Sequence, residues 1–246
     1  MNRALIWDLP TRLFHWLLSG GFFAAAAISF LLGDDSPIFP YHAIIGLVIA
    51  AMVVLRIVWG LIGTRYARFG SFMFGPAAVI EYMKGVLTGT GRRHLGHNPG
   101  SAYAIFTMLG LVLALAVTGF LMSQGNESIK DVHEILAYAM LGVVGAHVLG
   151  VIVHTVRHRE NLTASMIVGT KNAEQSAAIS SSHPIVAAVF MIITGAWAYG
   201  LLSNYDAATQ TTRVPLLGTS LQLGENEGNE SESPRPRVAG QEGDDD

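Results

Sequence analysis

The sequence predicts an all-α integral membrane protein whose chain crosses the bilayer five times. Of its 246 residues, 51% are hydrophobic and 13% are charged, whereas a soluble domain typically has about 25% charged residues. The mean hydropathy is +0.42. The charged residues lie between long apolar stretches, each close to the roughly 20 residues that a helix needs to span a bilayer. Composition and its distribution along the chain therefore both favour membrane-spanning helices.

Five stretches are long enough to be spans. They cover residues 13–32, 42–63, 102–122, 132–156 and 185–203. The first follows Arg3 and resembles a signal peptide, but it is long for that role and four more spans follow. We therefore interpret it as a retained helix.

One connecting segment is long for a loop. Between the second and third spans, residues 73–86 form an apolar stretch that is interrupted by Glu81 and Lys84. This pattern is consistent with a helix that lies in the membrane interface. It is equally consistent with an ordinary covering loop, and the sequence leaves both interpretations open.

The distribution of lysine and arginine predicts the orientation. Basic residues precede the first span and occupy the gaps after the second and fourth spans: Arg3, Arg12, Arg65, Arg68, Lys84, Arg92, Arg93, Arg157, Arg159 and Lys171. The alternate gaps, residues 33–41 and 123–131, contain a single basic residue, Lys130. By the positive-inside rule the N-terminus is cytoplasmic, and five spans then place the C-terminus on the external side.

The segment that follows the last span differs in composition from the rest of the chain. From Glu225 to Asp246 it has eight acidic residues and two arginines, and it is rich in Gly, Ser and Pro. Such a segment cannot bury enough apolar surface to fold by itself. We expect residues 206–246 to form an acidic, disordered tail.

The chain contains no cysteine and nine histidines. The absence of cysteine excludes disulfides, thiolate zinc sites, iron–sulfur clusters and covalently attached c-type haem within this chain. Any metal or cofactor must therefore be held by histidine, methionine, carboxylate or backbone groups.

Four histidines have matching depths in the predicted spans. His133 and His147 are fourteen residues apart on one helix, so they share a face and lie about 21 Å apart along the axis. His42 opens the second span at the same external end as His133. His15 lies about 25 Å from the external end of the first span, which is close to the depth of His147.

Two histidine pairs, one near each membrane face, would suit two six-coordinate b-type haems held between facing helices. Gly46 lies one turn after His42, where it would let a flat macrocycle approach the helix. Arg12 and Arg56 lie near the level of the inner pair and are candidate partners of the anionic haem propionates. Arg56 can equally extend to the lipid headgroups.

Other interpretations of these histidines remain open. A histidine in a membrane helix can be a hydrogen-bonded packing residue, and the same four could serve as relays in a haem-free transporter or proton channel. His154 lies seven residues beyond His147 on roughly the same face and is an alternative inner ligand. A membrane zinc enzyme is disfavoured, since the sequence has no His-Glu-x-x-His helix.

Several motifs together resemble a known family. They are residues 7–16 (WDLPTRLFHW), 95–100 (LGHNPG), 117–119 (VTG), 130–134 (KDVHE) and 158–162 (HRENL). These stretches are similar to the prokaryotic cytochrome b561 and nickel–iron hydrogenase b-type cytochrome subunit family, and the similarity covers roughly residues 4–172. The resemblance implies a four-helix membrane cytochrome with two haem b groups. It pairs His15 with His147 on the cytoplasmic side and His42 with His133 on the external side.

The resemblance also implies an organisation and a function. We expect residues 1–172 to form the four-helix haem domain, and residues 173–205 to add a fifth helix that buttresses it. The implied function is electron transfer across the bacterial cytoplasmic membrane, between quinone or quinol and a periplasmic c-type cytochrome or redox enzyme subunit. An alternative within the family is the membrane anchor of a hydrogenase or other reductase. We expect membrane lipid as a neighbour and no nucleic-acid partner.

Overall fold

Five long apolar helices form the body of the protein, as described by a computed structural model for residues 2–90 and 93–224. The helices are α1 (Leu9–Ala27), α2 (Pro40–Ile62), α3 (Pro76–Thr88), α4 (Pro99–Ser123), α5 (Lys130–His158), α6 (Leu162–Val168) and α7 (Pro184–Ser203). A π-helical segment, Ile28–Leu32, extends α1. All except the shorter α3 and α6 are long and apolar enough to cross a membrane. The predicted helical membrane bundle is confirmed.

The spans begin a few residues earlier than their apolar stretches. Asp8 caps α1 by accepting a hydrogen bond from the backbone N–H of Thr11 at 2.8 Å. Asn98 and Ser101 form a capping box at the start of α4. Prolines occupy the first turns of α1, α2, α4 and α7, where a missing N–H costs nothing. Polar caps therefore set the helix starts, and hydropathy alone does not detect them.

Consecutive spans run in opposite directions, which gives the bundle two ends. At the basal end, where α1 begins and α2 ends, the indole of Trp59 donates to the Asp8 carboxylate at 3.1 Å and lies against the ring of His183, which precedes α7. At the distal end α2 and α5 begin, and Lys130 forms an ion pair with Asp34 at 3.2 Å. Contacts between distant parts of the chain therefore define each end.

Helix packing leaves α5 apart from the first two spans. α1 packs along α2, α2 packs along α4 and α7, and α4 packs along α5. Among the described residues, the backbone of α5 makes no extended contact with α1 or α2. The apolar core lies around α2 and α4, with Phe14, Met52, Val53 and Leu109 among its buried members. The separation matters because α5 carries two of the four predicted ligands.

The segment of residues 73–86 is mostly helical. α3 covers Pro76–Thr88 and exposes Ile80, Met83 and Leu87. Of the two interpretations that the sequence left open, the structure supports the helix.

A small sheet, which hydropathy did not indicate, covers the basal end. Strand β1 (Asn2–Leu5) pairs antiparallel with β2 (Thr170–Ala173). This pairing buries Trp7, whose indole donates to the hydroxyl of Ser165 at 3.3 Å and whose ring meets Tyr66 edge to face. β2 also crosses residue 172, so the domain boundary expected there falls within a strand pair.

The chain beyond the last span is ordered for longer than expected. After α7, strands β3 (Thr211–Arg213) and β4 (Ser220–Gln222) form an antiparallel hairpin. Val214, Leu221 and Leu223 are buried against Ile44 of α2 and Leu201 of α7. Residues 206–224 are therefore structured, because apolar side chains at alternate positions give the hairpin a face to bury. The acidic residues from Glu225 to Asp246 lie outside the described part of the chain.

Candidate functional site

His42 and His133 face each other at the distal end. Their ring centroids are 6.3 Å apart, and the rings are inclined by 71°. An imidazole nitrogen binds a transition metal at about 2 Å. Two imidazoles on opposite sides of one metal therefore have centroids about 6 Å apart, so the observed separation fits a bis-histidine site between α2 and α5.

Hydrogen bonds set the tautomer of His42. Its Nδ1 lies 2.9 Å from the backbone oxygen of Ala25. A carbonyl oxygen can only accept, so Nδ1 carries the proton and donates it. The Nε2 atom of the neutral ring is then a lone-pair donor, which is the form that binds a metal.

Thr118 acts in the same way on His133. The hydroxyl of Thr118 donates to the backbone oxygen of Ala114 or Leu115, at 3.0 and 3.1 Å. Since its one hydrogen is used there, its oxygen accepts from Nδ1 of His133, which is 2.8 Å away. Both distal histidines thus present a deprotonated Nε2. Sequence reasoning missed this threonine as a functional residue, although it lies within the VTG motif.

His15 and His147 are both half-buried in the basal half of the bundle. The Nδ1 atom of His15 is buried and has no hydrogen-bond partner among the described residues. Both rings are close enough to influence the pKa of His97, which packs between Trp7 and Phe72 with centroid distances of 4.8 and 4.3 Å. His97 therefore locates both members of the predicted inner pair at the basal end.

His97 is held in its neutral form. Burial lowers the pKa of His97 to about 3, and the nearby charges of Arg56, Lys171, His147 and His15 act in the same direction. Its Nδ1 atom is buried and has no hydrogen-bond partner within the described chain. The structure therefore packs this loop histidine against the aromatic rings of Trp7 and Phe72.

Arg56 is buried in the bundle and does not extend to the headgroups. Only 3% of the residue is exposed. One guanidinium nitrogen, Nη2, donates to the backbone oxygen of Ala67 at 3.1 Å, and the group lies 5.0 Å from the centre of the Phe69 ring. The other, Nη1, is buried without a partner among the described residues. A buried cation with an unused donor fits an anionic group such as a haem propionate.

Arg12 and Gly46 differ in what surrounds them. Arg12 donates from Nη2 to the backbone oxygen of Ile167, so part of its guanidinium connects α1 to α6. Its Nε is buried without a partner within the described residues. A Cβ added at Gly46 would meet no atom within 4 Å, so the space beside α2, one turn from His42, is open.

His154 belongs to a charged cluster at the basal end. Its Nε2 lies 3.8 Å from Glu160, and its ring is 4.5 Å from that of His158. Glu160 also binds Arg93 at 3.0 Å and Lys171 at 3.5 Å. The alternative inner ligand is therefore next to a carboxylate that has several partners of its own.

In the described part of the chain, no three His, Asp or Glu side chains converge as a site for a bare metal ion. The four predicted histidines are instead arranged as one pair at each end of the bundle. Both residues of the distal pair lie in the first turns of their helices. Within the described chain, the buried atoms Arg56 Nη1 and His97 Nδ1 have no hydrogen-bond partner, and both lie at the basal end.

Comparisons with known proteins identify similar membrane cytochromes. A family model described as prokaryotic cytochrome b561 matches residues 6–169. The chain is 22% identical over 211 residues to a "Probable Ni/Fe-hydrogenase B-type cytochrome subunit" of Rhizobium leguminosarum bv. viciae, which covers 68% of this chain and 87% of that protein. The protein of the same name from Bradyrhizobium diazoefficiens is also 22% identical, over 68% of this chain and 85% of its own length.

A more distant relative matches a shorter stretch. The "Probable Ni/Fe-hydrogenase 1 B-type cytochrome subunit" of Escherichia coli K12 is 23% identical over 138 residues, or 47% of this chain and 58% of that protein. No solved structure matches the chain.

Proposed function

Because the chain belongs to the prokaryotic cytochrome b561 family, we propose that it binds two haem b groups and carries electrons across the membrane through them. Family membership makes it a multi-pass membrane electron-transfer protein with b-type haem. The proposal adds the number of haems, their ligands and the route. His42 and His133 hold the distal haem, and His15 and His147 hold the basal one.

The observation that carries the proposal is the distal pair. The 6.3 Å separation of the His42 and His133 rings matches two ligands of one iron. Each ring donates from Nδ1 to a fixed acceptor, which leaves each Nε2 free to bind. Such outer hydrogen bonds orient metal-binding histidines and increase their basicity.

At the proposed basal haem, several buried polar atoms have no hydrogen-bond partner among the described residues. His15 and His147 supply its ligands from α1 and α5. Arg56 Nη1 and His97 Nδ1 are both buried without partners among the described residues. A propionate would accept a hydrogen bond from Arg56, and from His97 in the tautomer that carries its proton on Nδ1. Arg12 is a further candidate through its unpaired Nε. Burial of these donors is costly unless an acceptor is present, which supports a resident anionic group.

The two histidines proposed at each site would determine what a bound haem could do. A haem iron with two imidazole ligands has no open position, so it exchanges electrons and does not bind oxygen. The protein residues would hold the haems, and at the distal end hydrogen bonds fix the tautomers of the histidine rings. We therefore assign no catalytic residue at the iron.

The partners follow from the membrane location and the relatives. We propose that quinone or quinol in the bilayer exchanges electrons with one haem, and that a redox protein does so at the opposite face. The relatives are named as nickel–iron hydrogenase cytochrome subunits, so a hydrogenase or other enzyme subunit is one candidate. A periplasmic c-type cytochrome is the other. The basic loops support a cytoplasmic basal end and a periplasmic distal end.

Haem quantitation and ligand replacement test the proposal. Acid–acetone should extract about two haems per chain, since no cysteine is present to form a covalent link. His42→Ala and His133→Ala should remove the same redox component, and His15→Ala and His147→Ala the other. His154→Ala is the matched control and should leave both haems low-spin.

Three results would contradict parts of the proposal. A colourless protein from haem-replete cells would support the haem-free transporter or proton channel. One haem per chain would leave only one pair as ligands. Loss of the basal component in His154→Ala, with no effect of His147→Ala, would mean that the inner ligand is misassigned.

A further inference from the structure

The turn of the C-terminal hairpin exposes two leucines beside the bundle. This turn, residues 214–219, connects β3 to β4 and is called the hairpin tip here. Leu216 is 100% exposed and Leu217 is 73% exposed. Their neighbours Val214 and Leu221 are buried. The hairpin thus buries one apolar face and leaves two large apolar side chains uncovered at its turn.

The backbone holds Leu216 in an unfavourable conformation. Its φ angle is +68°, in the left-handed region where a side chain is costly and glycine is preferred. Strained non-glycine residues of this kind are concentrated where the side chain has a role. The position thus presents a leucine where the local backbone would favour glycine.

Contacts with α7 fix the depth of the hairpin tip. A Cβ added at Gly200 would lie 2.7 Å from Cγ of Pro215, so the tip lies directly against this glycine. Gly200 is three residues before the end of α7, which places it about 4.5 Å inside the helix. The 20 residues of α7 span about 30 Å, the thickness of the hydrocarbon core. The hairpin tip therefore lies near the boundary between acyl chains and headgroups.

The surface next to the hairpin tip is also apolar. Tyr199 is 73% exposed and Leu202 is 48% exposed on α7, as expected for residues that face lipid. Arg213, also exposed, ends β3 just before the turn. Tyrosine and arginine beside leucine are typical of a membrane interface. The leucines of the tip therefore continue a lipid-facing surface.

We propose that the hairpin tip is a membrane-interface anchor. Leu216 and Leu217 insert among the lipids of the leaflet at the distal end, while Arg213 lies at the headgroup level. The hairpin is also held within the protein, because Thr212 donates to the backbone oxygen of Leu201 in α7 at 2.7 Å. The anchor lies outside the stretch matched by the family model, residues 6–169, and does not depend on the number of haems.

The absence of cysteine makes the test direct. Single variants Leu216→Cys and Leu217→Cys, in the full haem-loaded protein, each provide one labelling site for the fluorophore NBD. Ala207→Cys is the matched control, since Ala207 is exposed in the turn at the opposite end of β3. The labelled proteins are placed in phosphatidylcholine nanodiscs. Emission is then measured with a nitroxide lipid labelled near the top of its acyl chain and, separately, with aqueous iodide.

The proposal predicts a blue-shifted emission at positions 216 and 217, with quenching by the nitroxide lipid and little quenching by iodide. The label at position 207 should respond to iodide alone. Iodide quenching at all three positions would overturn the proposal and favour a docking site for a partner protein. Lipid quenching at all three would also overturn it, since the whole hairpin would then be immersed. Quenching by neither reagent at positions 216 and 217 would also overturn the proposal, since protein and not lipid would then cover these positions. An unchanged haem spectrum in each labelled protein shows that the fold is intact.

Discussion

At the scale of single residues, the site depends on where protons are carried. The distal histidines could bind iron through Nε2 only if Nδ1, and not Nε2, is protonated. The carbonyl of Ala25 and the hydroxyl of Thr118 each accept from a distal Nδ1. The acceptor for His42 comes from the last turns of α1, before its π-helical extension, and the acceptor for His133 comes from α4. Each tautomer is therefore set by a helix other than the one that carries the histidine.

Removing the hydroxyl of Thr118 should weaken the distal haem site selectively. Thr118→Val keeps the shape but leaves Nδ1 of His133 without an acceptor. Loss of such an outer hydrogen bond typically costs about 10–100-fold in metal affinity or activity. We expect distal haem to be lost or shifted in potential, measured by redox titration of the purified protein, while the basal component is unchanged. Thr118→Ser keeps the hydroxyl and is the control. Equal behaviour of the two variants would mean that the hydroxyl does not set the tautomer.

Arg56 provides a second test at the residue scale. If its buried guanidinium faces a propionate, Arg56→Met leaves that anion uncompensated near the iron and stabilises the ferric form. The midpoint potential of the component lost in His15→Ala should therefore fall. His97→Phe should lower it less, since neutral His97 contributes a hydrogen bond without a full charge. Arg157→Met, which removes an exposed arginine, should change neither potential. A shift confined to the distal component would place Arg56 at the other haem.

At the scale of elements, the basal end is held together by polar contacts between distant segments. Glu160 follows α5, Arg93 precedes α4 and Lys171 lies in β2, and the three form one ionic cluster. Burial raises the pKa of Glu160, but hydrogen bonding and charge from Arg93 and Lys171 outweigh this effect and the net pKa is lowered. The carboxylate is therefore the form that stabilises the fold.

Loss of the Glu160 charge should destabilise the basal end. Glu160→Gln leaves Lys171, only 4% exposed, without its counter-charge, and an unsatisfied buried polar group costs about 1–3 kcal/mol. Because the folded pKa is lowered, the Glu160 contribution is complete at neutral pH and is lost as pH falls through that lowered pKa. The apparent melting temperature should thus fall at neutral pH, and the variant should be less sensitive to acid than the parent. Lys171→Met in the Glu160→Gln background should restore part of the stability. No restoration would mean that the cluster is not coupled through this pair.

The fifth span is an element that buttresses the bundle. α7 packs along α2, and the indole of Trp197 donates to the backbone oxygen of Leu47 at 3.2 Å. Its C-terminal end supports the hairpin that covers the start of α2, near His42. α7 carries none of the four predicted ligands.

At the scale of the whole molecule, we expect five spans to place the two termini on opposite sides of the membrane. The basic residues are concentrated at the basal end, which we expect to be cytoplasmic. A reporter that is active only in the cytoplasm should therefore be silent when fused after Asp246 and active when fused before Met1. Activity of the C-terminal fusion would mean that the orientation or the number of spans differs from the one proposed. A reversed orientation would place the distal site on the cytoplasmic side. Protease protection of the tail in inverted vesicles provides an independent measurement.

The sequence by itself determined the membrane fold and the candidate ligands. Apolar runs of about 20 residues have one stable solution in lipid, because every backbone polar group must be satisfied within the helix. The spacing of His133 and His147 on one helix then follows from helix geometry alone. For the same reason, the depths of His15 and His42 were predictable from the positions of their spans. These features depend on local physics, which the order of residues contains directly.

Only the tertiary structure decided which groups meet across the bundle. The contact of Thr118 with His133, the burial of Arg56 and His97 at one end, and the sheet formed by residues 2–5 and 170–173 all join segments on different helices or loops. Hydropathy and spacing carry no information about such contacts, since they depend on helix rotation and on how the ends pack. The ordered hairpin of residues 211–222 has the same explanation: its apolar face is too short to fold alone and becomes stable only against α2 and α7.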